Sequence, residues 1–276
     1  MSGKVYLVGA GPGDPELLTV KALRLLHQAD VVLHDDLVAP EVLRLISPAA
    51  QVQNVGKRCG HKAIRQEEIN FLMVALAASG RQVVRLKSGD PLIFGRAGEE
   101  IDALRRSNIE YEIVPGVTSA LGAAAAAGIP LTHRQTSSTL VLTTGNHATE
   151  NDETDWRRFA SARATLVIYM PGRNYGEISA RLAAAGFAKE TPCAVISRAT
   201  TSRQQIYRTT VSDLYSAPPL PSPTLLVVGE VVRFSAQDSV PDHPAASEQL
   251  NDFESIFSRP VSVRAESASR NEDLLA

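Results

Sequence analysis

The sequence predicts an α/β protein of two α/β domains, the N-terminal one built on a mostly parallel sheet and the C-terminal one on a mixed sheet. Three observations predict it. Short apolar runs alternate with amphipathic stretches through the first half, the pattern of repeated strand–helix–strand units and so of a parallel sheet covered on both faces. The first of these runs ends in a glycine-rich loop, Gly9-Ala-Gly11-Pro-Gly13-Asp14. In the second half, the strand candidates 194–197 and 205–209 are joined by a short polar link, which fits antiparallel neighbours better than a crossover.

Taken in order, residues 5–8 read as a buried strand. A helix over 15–27 follows, with Asp14 as its N-cap candidate and Pro15 at its first helical position. Strands are expected at 31–33 and 51–55. An amphipathic helix over 65–78 carries Ile69, Leu72, Met73 and Leu76 on one face. Then come a strand at 82–86, a helix over 97–106, a strand at 111–114 and an alanine-rich helix over 118–127 that lets a neighbour pack closely. The segment Ile129-Pro-Leu-Thr-His-Arg134 reads as a hinge, which divides the chain into domains at 1–132 and 133–234. Strands at 138–143, 165–169, 194–197, 205–209 and 225–228 and a helix over 175–185 fill the second domain. Residues 235–276, rich in Ser, Ala and acids, have the composition of a disordered tail.

Composition narrows the function. At 276 residues, 44% hydrophobic and 21% charged, the chain can bury a core without disulfides or metals. Cys59 and Cys193 lie in no metal-ligand spacing, so two free thiols in a reducing compartment and no metal are expected. The longest apolar run, 121–131, is too short to span a bilayer, and no N-terminal signal is visible. A soluble cytoplasmic protein without a membrane partner is therefore expected. The 235–276 tail holds eight acids and three arginines, a net of −5, which leaves +3 on the other 234 residues of a chain of total charge −2. That body lacks the dense Lys/Arg tract of a nucleic-acid binder and suits a polyanionic small molecule.

Chemistry concentrates in the strand-end loops. The first loop has the context of a dinucleotide site, a strand before and a helix after. Its spacing is Gly-x-Gly-x-Gly, however, and Asp14 stands where the third glycine belongs. A carboxylate at a helix N-terminus would repel a pyrophosphate, and Pro12 removes an amide that could hold one. The second loop lies in Arg85-Leu-Lys-Ser-Gly-Asp-Pro-Leu-Ile-Phe-Gly-Arg96, at another strand end where ligands of open α/β sheets bind. Gly89 permits close backbone approach there and Asp90 accepts hydrogen bonds. In Pro115-Gly-Val-Thr-Ser119, Thr118 or Ser119 either caps the next helix or meets the ligand. His34-Asp35-Asp36 places a candidate base at the second strand end, and Gly56-Lys57-Arg58 places two cations at the third.

These residues resemble the uroporphyrinogen-III C-methyltransferases of the tetrapyrrole methylase family. The resemblance covers residues 4–234. It rests on Val8-Gly-Ala-Gly-Pro-Gly-Asp-Pro-Glu-Leu-Leu-Thr19, Gly56-Lys-Arg58, Gln66-Glu-Glu-Ile-Asn70, the block 85–100, Pro115-Gly-Val-Thr-Ser119 and Gly128-Ile-Pro-Leu-Thr-His-Arg134. It implies S-adenosylmethionine folded into a cleft between the two domains. Carried over residue by residue, the cofactor contacts are Pro12, Ser88, Gly89, Asp90, Ile93, Thr118, Ser119, Met170 and Ala199. The implied base is Asp35 and the implied acid Lys57, although Lys57 can equally anchor substrate. Similar enzymes often carry Gly at Ser88 and an aromatic residue at His34. Methylation at two ring carbons would give precorrin-2. Arg58, Arg85, Arg96, His133 and Arg134 are the expected anchors for the substrate's carboxylates, since guanidinium binds carboxylate bidentately. A homodimer is implied as well. The rival readings are a family member acting on RNA or protein, a nicotinamide-dependent dehydrogenase, and a non-catalytic tetrapyrrole or nucleoside sensor. The Asp14 spacing disfavours the dehydrogenase.

Overall fold

A computed structural model describes residues 3–56, 64–145, 156–160 and 163–235. Its first sheet joins five parallel strands: β1 (Lys4–Gly9), β2 (Val31–His34), β3 (Gln51–Asn54), β4 (Gln82–Lys87) and β5 (Glu110–Val114), in the order β3-β2-β4-β1-β5. Period-two alternation decides which face each side chain serves. Val8, Val32, Val84 and Leu86 pack against α1 (Val20–Gln28) and α2 (Pro40–Leu43) on one face. Val5, Leu7, Val31, Leu33 and Val83 pack against α3 (Gln66–Ala78) and α4 (Ala97–Arg106) on the other. Met73 is fully buried there, a core residue. The chain leaves β1 toward β2 on one side and leaves β4 toward β5 on the other, so the neighbouring strands β1 and β4 form the topological switch point at which such sheets bind ligands.

The second sheet is mixed. It contains β6 (Thr139–Thr144), β7 (Ala164–Tyr169), β8 (Pro192–Ser197), β9 (Gln205–Thr210) and β10 (Thr224–Val228), in the order β6-β7-β10-β8-β9. Only β6 and β7 are parallel; β7–β10, β10–β8 and β8–β9 are antiparallel. The antiparallel character expected from the short 198–204 link thus extends to β10. Helices α6 (Arg157–Ala160) and α7 (Tyr175–Ala184) cover one face. The other face packs on α5 (Ser119–Ala126), whose Ala120, Ala123 and Ala124 lie against Val167, Ile196 and Val227. The small side chains of this helix bring the second sheet close to the strand ends of the first.

One expected element divides. The helix over 15–27 is a 3₁₀ turn, Pro15–Leu17, followed by α1. Asp14 caps the turn by accepting the Glu16 N–H at 2.9 Å. Leu18 is extended, and the Thr19 hydroxyl oxygen accepts the Ala22 N–H at 3.1 Å. A second good N-cap residue restarts the helix after an extended step. Residues 235–276 mostly lie outside the described residues, and Cys59 does too. Among the described residues no helix is long and apolar enough to cross a membrane, and no group of three His, Cys, Asp or Glu is placed to hold a metal.

Cys193 on β8 is buried, and burial pushes its thiol up to about 12. Its folded pKa is raised above the unfolded value, so its contribution is fully present below that unfolded value and lost as pH rises toward about 12. Above about pH 9 the unfolded chain loses the proton first, at up to ~1.4 kcal/mol per pH unit. Urea unfolding of the wild type should therefore show stability falling between about pH 9 and 11 more steeply than in Cys193→Ala. Parallel curves would remove the thiol as the cause.

Candidate active site

Three loops meet at the switch point. After β1, the Gly11 N–H donates to the Gly89 carbonyl at 3.2 Å, and the Gly89 N–H returns a bond to the Gly11 carbonyl at 2.7 Å. The loop after β5 joins through Asp90: Oδ2 accepts the Gly116 N–H at 3.0 Å, while Oδ1 accepts the Leu92 N–H at 2.8 Å. This packing needs glycine. A Cβ at Gly9 would lie 2.6 Å from the Gly116 Cα and 2.7 Å from the Gly89 carbonyl oxygen. Backbone, rather than side chains, therefore forms the floor.

The second sheet supplies the opposite wall. The Tyr169 hydroxyl lies 2.6 Å from the Thr118 hydroxyl and accepts the Ala120 N–H at 3.1 Å, in the first turn of α5. Burial raises the Tyr169 pKa above its ordinary value, so it remains a neutral phenol. Its ring packs on Phe94, with centroids 4.9 Å apart. Farther along, the Asp14 N–H donates to the Thr200 hydroxyl at 3.1 Å. Phe94, Arg96, Met170, Arg198 and Thr200 all have positive φ, between 47° and 64°. Such strain persists where the surroundings over-determine the backbone, and it clusters around functional sites. In the Tyr169→Phe variant the buried Ala120 N–H loses its acceptor, and stability should fall by about 1–2 kcal/mol in urea unfolding. An unchanged midpoint would show that this link between the sheets contributes nothing.

Between these walls lies a cleft of about 470 Å³, within the size range of small-molecule sites. Pro12, Asp35, Ser88, Gly89, Asp90, Ile93, Thr118, Ser119, Met170 and Ala199, singled out from the sequence, all line it. Among the described residues, the expected carboxylate anchors Arg85, Arg96, His133 and Arg134 do not. Arg85 is 2% exposed and lies beneath the cleft. Its Nη2 donates to Asp35 Oδ1 at 2.5 Å, its Nε to Glu100 Oε1 at 2.9 Å, and its Nη1 to the Leu33 and Leu86 carbonyls at 3.3 Å. The reading of Arg85 as a group that reaches substrate therefore gives way to that of a buried partner of Asp35. Arg96 is exposed and doubly bonded to Glu99 at 2.7 Å. His133 stacks on Phe234 with centroids 4.5 Å apart, and Arg134 is exposed outside the lining. Lys57 and Arg58 lie outside the described residues. Buried His34 faces the Asp35 carbonyl through Nδ1 at 3.0 Å.

Sequence reasoning missed Lys87 and Glu100. Lys87 lines the cleft, and its Nζ lies 3.0 Å from Glu100 Oε1. Burial lowers the Lys87 pKa below its ordinary value and the neighbouring Arg85 charge adds to this, against the opposing pull of Glu100 and Asp35. Glu100 is fully buried and takes a further hydrogen bond from Gln66 Nε2 at 3.3 Å. A signal was present: Glu100 falls between Ala97 and Leu104 on the buried stripe of α4, where an acid needs a partner.

The model of the tetrapyrrole (corrin/porphyrin) methylases matches residues 4–215. Siroheme synthase 1 of Yersinia enterocolitica serotype O:8 / biotype 1B is 52% identical over 236 residues, covering 85% of this chain and 50% of that protein. The chain thus spans about half the length of the curated relatives it matches. Among solved structures, a uroporphyrin-III-C-methyltransferase from Thermus thermophilus superposes with a TM-score of 0.72 at 44% identity, over 86% of this chain and 99% of that one. A uroporphyrin-III C-methyl transferase of the same organism, complexed with S-adenyl homocysteine, gives 0.73 at 41% identity, over 84% and 99%.

Proposed function

Since the chain belongs to the tetrapyrrole (corrin/porphyrin) methylases, we propose that it methylates uroporphyrinogen III at two ring carbons, with S-adenosylmethionine as donor and precorrin-2 as product. The observation that carries this reading is the convergence of all nine implied cofactor contacts and of Asp35 on one cleft. The cleft suits a sulfonium nucleoside. Its floor is glycine backbone, which admits close approach, and Pro12, Ile93, Ile196 and Leu225 offer apolar surface. The loop that would cradle phosphate instead carries Pro12 and the capping carboxylate of Asp14.

When bound, S-adenosylmethionine supplies an activated methyl group and leaves as a neutral thioether. The chain's own residues do the rest. Ser88, Gly89, Thr118, Ser119 and Ala199 would hold the cofactor, and Met170 with Tyr169 would cover it. Much of the acceleration comes from alignment and from exclusion of water. Methylation leaves the ring system cationic, and it must lose a proton from another of its atoms. Asp35, half-buried in the cleft lining, is the proposed acceptor, an effect of typically ~10²–10⁴-fold. Arg58, Arg96, His133 and Arg134 remain the proposed anchors for the substrate's carboxylates, and Lys57 the proposed acid or anchor. A cytoplasmic homodimer belongs to the same reading.

The test is anaerobic incubation with methyl-labelled S-adenosylmethionine and uroporphyrinogen III, followed by a count of label in the pigment. Two methyl groups per tetrapyrrole are expected. A single methyl would overturn the precorrin-2 product, and none would overturn the substrate.

A further inference from the structure

The charged groups beneath the cleft form a chain. Asp35 at the end of β2 touches Arg85 on β4, Arg85 touches Glu100 on α4, and Glu100 touches Lys87, two residues beyond Arg85 on the same face of β4. Two cations and two carboxylates leave the chain neutral. Its members range from 0% exposed at Glu100 to 30% at the Asp35 side chain. Only one end of the chain thus reaches the rim through a carboxylate. Among the described residues, β2 supplies His34 through its contact to the Asp35 carbonyl, β4 supplies Arg85 and Lys87, and α4 supplies Glu100.

Fold stability alone does not account for this arrangement. Buried ion pairs are poor stabilisers, because desolvation offsets most of the attraction, and apolar residues of similar volume often serve as well. The surroundings here are apolar, with Leu33, Met73 and Leu104 in the same layer. What the chain does achieve is geometric. A guanidinium is a rigid fork, and Arg85 directs Nη2 to Asp35 while Glu100 grips Nε and the Leu33 and Leu86 carbonyls grip Nη1. Asp35, which lines the cleft, is thereby held through one oxygen, Oδ1.

We propose that Arg85 and Glu100 are positioning residues that fix the carboxylate of Asp35 for proton removal, an inference that rests on the reading of Asp35 as base. Arg85 acts on Asp35 directly and Glu100 acts through Arg85. Neither touches substrate.

The test is a double-mutant cycle on turnover. Arg85→Lys keeps the charge but replaces the fork by a single ammonium, which cannot serve Asp35 and Glu100 in the same geometry. The expected result is a kcat about 10- to 100-fold lower, as for a misplacement of about an ångström. KM for the tetrapyrrole and the calorimetric Kd for S-adenosylmethionine should stay within about twofold. On an Asp35→Asn background the same substitution should cost nothing further, because the carboxylate it positions is gone. Glu100→Gln, isosteric and uncharged, is run through the same cycle in parallel as a second, independent route to the answer. A merely structural role predicts losses that multiply, or losses spread over KM, Kd and thermal stability. Either pattern, or full kcat in both single variants, overturns the proposal. An active wild type with multiplying losses rejects the positioning role; a wild type that transfers no methyl to uroporphyrinogen III rejects the reading beneath it.

Discussion

Gly89→Val is expected to raise the Kd for S-adenosylmethionine by about a hundredfold, roughly 2.7 kcal/mol. The residue has φ +69°, in the left-handed region, where a β-branched side chain is a steric outlier. Strain of this kind amounts to ~1–2 kcal/mol per residue. A Cβ there would also stand 3.2 Å from the Ser119 hydroxyl and 3.4 Å from the Ser119 nitrogen, before the two valine methyls are added. Relief requires either breaking the paired Gly11–Gly89 hydrogen bonds or pushing the Thr118–Ser119 turn into the cleft. Both movements fill or distort the same small volume. Gly89→Ala should fall between the wild type and Gly89→Val. Calorimetry that showed normal affinity for the valine variant would place the cofactor elsewhere.

Asp35→Asn should lower kcat by ~10²–10⁴-fold, the range of a positioned proton acceptor. The amide keeps the shape and can still offer an oxygen to Arg85, so the fold and the cofactor floor are expected to survive. Asp35 stands at the rim, on the far side of Arg85 from Glu100. The Kd for S-adenosylmethionine should therefore change by less than about twofold, and the loss should fall on kcat and kcat/KM equally. Unchanged turnover would remove Asp35 as the base and, with it, the purpose assigned to Arg85.

The parts of this molecule that the sequence revealed share a physical cause. Strands β7 and β8 are buried along their whole length, so they stand out as apolar runs bounded by glycine, proline or polar residues. Helix α4 was legible to the residue because its stripe and its flanking signals agree. The cleft was legible because glycine, proline and an acid at strand ends have few other uses. What escaped was set by contacts distant along the chain. The extended step at Leu18 depends on a cap that competes with continuous helix. The burial of Arg85 ran against the rule that arginine stays at the surface, and its pairing with Glu100, fifteen residues on, and with Asp35, fifty residues back, makes that burial tolerable. The Tyr169 hydroxyl reaches Thr118 across a sequence separation of 51 residues, a contact that no local pattern announces.

The bonds from Tyr169 to α5 and from Thr200 to Asp14 have a bearing on traffic. They fasten the two walls along one seam, and an opening that spread the sheets there would break both sets. The proposed reaction consumes two donor molecules for each tetrapyrrole, so a spent nucleoside must leave and a fresh one enter between the two methylations. Beside that seam, Leu37, Phe94 and Met170 line the cleft and stand 42% to 59% exposed, so the cleft has an apolar mouth. In the proposed reaction that mouth would serve as a standing doorway, letting one nucleoside leave and the next enter without parting the two sheets.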